Sequence, residues 1–130
     1  MTQVNQKYIE PGVGMASPNR IVLALYEGLI SCMLKAKRGI EEGDMAARCE
    51  MIGKSIDILS ELNNSLDVSA GGEMAVNLQR LYGYCIDRLI EANIKKDAGQ
   101  VESAVGVIYT LKDAWVEVVR AESEGILARL

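Results

Sequence analysis

The chain has 130 residues, close to half of them apolar (49%), which is the size and composition of one globular domain rather than a disordered segment. A formal charge of −4, with no cluster of Lys/Arg interleaved with aromatics, argues against nucleic acid as a primary partner. Histidine is absent altogether, which excludes Ser-His and Cys-His nucleophile pairs, His-ligated zinc and the Glu-x-x-His motif of di-iron bundles.

Residues 1–16 are polar, glycine-containing and aperiodic, and read as an N-terminal arm. Their opening, "MTQVNQKYIEPG", lacks the apolar centre of a signal peptide, and no later apolar run is long enough to span a membrane. The cytosol is the expected compartment. "SPNR" then opens helix 1, with Ser17 as N-cap and Pro18 in the first helical position; the helix should stop at Gly43. Asp44 caps helix 2, expected to reach about Leu66. "DVSAGG" reads as a connection, and helix 3 follows from about Glu73 to Lys95. Asp97, with Gln100 three residues on, caps helix 4, which runs to Glu122 or beyond. No segment alternates with period two, so no strand is expected. Four segments of similar length joined by short connections predict an all-α, antiparallel four-helix bundle over residues 17–130.

Apolar residues at steps of three and four give each helix one core face. Helix 1 offers Val22, Leu25, Tyr26, Leu29, Met33, Ala36 and Ile40; helix 2 offers Met45, Cys49, Ile52, Ile56, Leu59 and Leu66. Helix 3 offers Met74, Leu78, Leu81, Cys85, Leu89 and Ala92; helix 4 offers Val101, Ala104, Ile108, Leu111, Trp115 and Val119. The three cysteines, Cys32, Cys49 and Cys85, are widely spaced without a CxxC pair and read as small buried hydrophobes.

Further apolar residues lie off these faces: Leu23, Ile30 and Leu34 on helix 1, Met51, Ile58 and Leu62 on helix 2, Ile86 and Ile90 on helix 3, and Val105, Tyr109 and Val116 on helix 4. Three uses are open to them: half-covered flanking positions, grooves that accept amphipathic segments of another chain, or self-association as a weak homodimer. Asn63 continues the helix 2 core series. Because an unpaired buried amide costs about 1–3 kcal/mol, it is expected to bond the connection that follows. Arg88, at the edge of the helix 3 stripe, is expected to pair with a carboxylate. Glu41 with Glu42, and Glu122 with Glu124, read as solvated faces, and "AGGE" has neither Walker nor Rossmann spacing. Nothing supports an enzyme, a cofactor or a metal site.

In order and spacing, "ASPNRIVLALYEGLI", "ELNNSLD", "GGEMAVNLQRLYGYCIDRLIEANIKKD" and "LKDAW" resemble the flagellin-specific export chaperones, the FliS family, from Ala16 to Trp115. The resemblance implies a cytosolic, non-enzymatic helical bundle without cofactor. It implies binding of the otherwise disordered C-terminal region of flagellin, prevention of its early polymerisation, and delivery to the type III flagellar export gate. Tyr8 matches a tyrosine that the family carries in its N-terminal arm, so the arm is expected to compete with client for a groove. The surplus apolar positions of helices 1, 2 and 4, namely Leu23, Ile30, Leu34, Met51, Ile58, Leu62, Val105, Tyr109 and Val116, together with Tyr8, are the expected partner-binding set.

Overall fold

A computed structural model describes residues 17–128, with side chains described as far as residue 125. Tyr8 and the rest of the arm lie outside the described residues. Four helices follow in order: α1 (Pro18–Glu42), α2 (Met45–Asn64), α3 (Val68–Lys95) and α4 (Ala98–Ala128). Among the described residues there is no strand.

Local chemistry sets most of the boundaries. Ser17 Oγ accepts from the Arg20 N–H at 3.2 Å, and Pro18 follows with no N–H to satisfy. Gly43 ends α1 at φ 69°, in the left-handed region, donating to the carbonyls of Gly39 and Ile40. The Asp44 carboxylate accepts from Ala47 N–H at 3.0 Å and starts α2. One connection departs from expectation. Asp67 is itself an N-cap, accepting from Ala70 N–H at 3.1 Å, so α3 begins at Val68 within the stretch read as a loop. That first turn is broken from the rest of α3 at Gly72, whose φ 60° and ψ −137° belong to a region that essentially only glycine adopts.

α1 packs on α2 and α4, and α3 packs on the same two, so the helices form a ring in chain order. Hydrogen bonds establish the antiparallel sense: Arg48 Nε to Asn93 Oδ1 joins the start of α2 to the end of α3. Asn19 Nδ2 to Glu122 Oε2 joins the start of α1 to the late part of α4. Across the middle, the fully buried hydroxyls of Tyr26 and Tyr82 meet at 2.6 Å, linking the diagonal helices α1 and α3. The Trp115 ring stands edge-on to Tyr26, with centroids 5.6 Å apart.

The core departs from the single-stripe expectation in both directions. Ile30, Leu62 and Val105, expected off the core faces, are buried in it, as are Ile21 and Tyr82. Each helix in a ring touches two neighbours, so the buried arc is wider than one line of residues. Leu81, expected in the core, is only half-buried, and Tyr82 takes the central place. Met45, Cys49 and Met74 are exposed. Met45 opens α2, and Met74 lies beside the Gly72 break, where a helix face has less to pack against.

Candidate protein-binding surface

On α1, Arg20, Leu23, Ile30 and Leu34 are spaced by three, seven and four residues and share one line of the helix. On α4, Ser123, Val116 and Tyr109 are spaced by sevens and do the same. Arg20 Nη2 donates to Ser123 Oγ at 2.7 Å, so these two lines face each other across the α1–α4 seam. Because the helices are antiparallel, Leu34, fourteen residues after Arg20, lies opposite Tyr109, fourteen residues before Ser123. Leu34, Tyr109 and Val116 retain 40, 42 and 38% of their accessible surface. Ile30 and Val105, on the same flanks, are buried and close the seam beneath them. Leu23 is half-buried at the same edge.

The other expected surface residues fall elsewhere. Met51 and Ile58 of α2 are half-buried against the core; they act chiefly as packing, and Met51 borders a shallow cleft with Lys35, Arg38 and Gly39. On α3, Ile86 is half-buried, whereas Ile90 and Ile94 are exposed at steps of four. The eight surplus positions outside the core are therefore divided, and among them only those of the α1–α4 seam gather several exposed ones from two helices.

Polar groups near the core follow burial. Burial pushes the Cys85 thiol up to about 12, with its Sγ–H aimed at the Ala104 carbonyl at 3.7 Å. Burial, reinforced by each other's proximity, raises Tyr26 well above the usual phenol range, and burial raises Tyr82. Such groups stay protonated, which suits packing rather than acid–base work. The cysteines are free; only Cys85 is buried, Cys32 being half-buried and Cys49 exposed. Arg88 bonds an amide, Gln100 Oε1 at 2.7 Å, rather than a carboxylate, with its guanidinium 5.7 Å from the Tyr84 ring centroid. Among the described residues no group of His, Cys, Asp and Glu is placed to hold a metal ion, and no helix is long and apolar enough to cross a membrane.

Sequence reasoning missed an open apolar cleft of about 370 Å³ at the α2–α3 connection. Leu66, Met74, Ala75, Leu78 and the Trp115 ring line it. Its signal was the Gly71–Gly72 pair, which interrupts the helical period and signals a break rather than a plain loop. Asn63 lies just before this connection. Its Oδ1 is buried without a hydrogen-bond partner, contrary to the expectation that the connection would satisfy it; Trp115 Nε1 is in the same position. The connection spends its own donors elsewhere: Leu66 N–H goes to the Asn63 backbone carbonyl and Ser65 N–H to Glu61.

The family described as "Flagellar protein FliS" matches residues 1–122. The chain is 36% identical over 114 residues to the flagellar secretion chaperone FliS of Salmonella typhimurium strain LT2, covering 87% of this chain and 84% of that one. It is 35% identical to the flagellar secretion chaperone FliSB of Pseudomonas aeruginosa (88% of this chain, 91% of that one) and 31% identical to the FliS of Bacillus subtilis strain 168 (88% and 85%). In fold it is similar to a solved structure described as a flagellar chaperone from bacteria, with TM-score 0.76 and 18% identity, over 92% of this chain and 98% of that one.

Proposed function

The chain belongs to the FliS family of flagellar secretion chaperones, and from that premise we propose that it holds the C-terminal segment of flagellin in the cytosol, blocks its early polymerisation and supports its delivery to the flagellar export gate. The role is non-enzymatic. The observation that carries the client-binding part is the α1–α4 seam, where Leu34, Tyr109 and Val116 leave apolar surface open along about two helical turns. A disordered segment must offset its ordering cost by wide, shallow apolar contact, and a seam between two long helices offers that shape. Exposed apolar edges also permit release, because no deep pocket has to be emptied.

Isothermal titration of the full chain with a flagellin C-terminal fragment tests the reading. A 1:1 complex is expected, and Tyr109→Asp should weaken it at least tenfold while the far-ultraviolet helical signal stays unchanged. A wild-type chain that takes up no fragment, and instead sediments as a stable dimer, would replace this reading with self-association.

A further inference from the structure

The α2–α3 seam lies on the side of the ring opposite the α1–α4 seam. Its register is set near the start of α2, where Arg48 Nε donates to Asn93 Oδ1 at 2.9 Å and the Cys49 thiol faces the same oxygen at 3.9 Å. Around that contact the surface is apolar. Met45 and Ile94 keep 65 and 69% of their accessible surface and Ile90 keeps 44%, each more than Leu34, Tyr109 or Val116. Single exposed apolar side chains are ordinary, but several gathered in one patch mark a contact surface.

The patch is complementary to itself. Met45, Cys49 and Gly53 stand at steps of four along one line of α2. Two copies laid face to face and antiparallel, about a twofold axis at Cys49, set each Met45 over the other copy's Gly53. Gly53 has no side chain, and nothing lies within 4 Å of where a Cβ would be, so the flexible methionine thioether has room there. On α3 the level of Cys49 is Ala92, because the helices are antiparallel and Arg48 meets Asn93. Ile90 and Ile94 lie two residues to either side of Ala92, so each Ile90 meets the other copy's Ile94. The same axis brings Lys96, four residues past Ala92, to the other copy's Asp87, five residues before it. Both are exposed, and among the described residues neither forms an ion pair within its own chain. One register thus matches a bulky side chain to a gap, isoleucine to isoleucine and cation to anion, which identifies a second copy as the occupant.

We propose that the α2–α3 seam pairs two copies of this chain as an antiparallel, twofold dimer centred on Cys49. The pairing leaves the α1–α4 seam of each copy facing outward and does not rest on the client reading. Three large apolar side chains per copy make a small interface, of the kind that forms and separates readily.

Sedimentation equilibrium of the full chain alone should show a mass that rises from 14.2 kDa toward twice that value over roughly 10–200 µM. Ile94→Asp should hold the mass at the monomer value, with helical signal and thermal midpoint unchanged because the side chain is exposed. Asp87→Lys sets like charges together at both ends of the interface and should weaken pairing about three- to tenfold; adding Lys96→Asp restores opposite charges and should return it to within about twofold of wild type. A short bismaleimide linker should join two copies through Cys49, and Cys49→Ser should abolish that product. A mass fixed at 14.2 kDa overturns the dimer. So does a dimer that both the Ile94 and Asp87 variants leave intact, or a cross-link that persists without Cys49. No flagellin fragment is present in these measurements, so their failure leaves the client reading standing.

Discussion

At the end of the bundle carrying the α1–α2 and α3–α4 turns, both chain reversals are tight and capped. Gly43 and Lys96 take left-handed conformations, and the Asp44 and Asp97 carboxylates receive N–H groups of the helices they open. Arg48 ties α2 to α3, and Arg88 ties α3 to α4. The opposite end is tied on its α1–α4 side through Ser17, Asn19 and Arg20 to Glu122 and Ser123. Its α2–α3 side has the Gly72 break, the open cleft and, among the described residues, two of three unpartnered buried side-chain atoms, the third being Arg88 Nε. The difference teaches where the chain forgoes stability. An end built only to fold would close such a gap and pair such atoms, and departures of this kind gather at functional sites.

The largest expected effect breaks the tight end. A Cβ on Gly39 would lie 2.9 Å from the Arg48 backbone nitrogen, an atom that cannot swing aside as a side-chain tip can. Gly39→Val therefore has to part α1 from α2, at about 1–3 kcal/mol, the range for overpacking. Urea unfolding should show a lower midpoint with an unchanged slope. If Gly72→Ala costs as much, the contrast between the ends is wrong, because strain there can be relieved by releasing one short turn.

The middle layer belongs to neither end and gives the next effect. Tyr26→Phe leaves the buried Tyr82 hydroxyl unpaired and should cost about 1–2 kcal/mol; adding Tyr82→Phe removes both hydroxyls and should recover most of it. Alkaline pH probes the same layer. These phenols and the Cys85 thiol are neutral when protonated, and burial raises all three in the folded state. Their stabilisation is therefore complete below the ordinary thiol value near 9 and declines above it, through about 12 for Cys85. The thermal midpoint should fall between about pH 8.5 and pH 11, and fall less in the double phenylalanine variant. A flat profile in the wild type would show that these groups titrate alike in the folded and unfolded chain.

These effects also separate what was legible in the sequence from what was not. Ser17, Gly43, Asp44 and Asp97 mark helix ends through bonds to residues two to four positions away, so their meaning is local and could be read. Asp67 uses the same chemistry, but the glycines after it suggested a loop and hid the extra turn. Burial is not local. Ile30 and Val105 lie off the core stripes that spacing predicts, yet both are buried in the core; Leu34 and Tyr109, on the same helices, stay open. The cleft depends on how α3 restarts after Gly72 relative to Trp115, forty-three residues away, and no spacing along the chain encodes that.

The smallest expected effect on stability is also the sharpest test of the open end, because its sign is unusual. Replacing a buried amide normally costs stability by stranding its partner, but Asn63 Oδ1 has no partner to strand. Asn63→Leu removes an unpaired acceptor and adds apolar contact beside Leu66, so the chain should be unchanged or more stable, by less than about 1 kcal/mol. If the amide serves the fold, the variant melts lower than wild type. If it does not, the variant melts at the same temperature or higher. Thermal melts of this one variant therefore decide whether the amide holds the fold together.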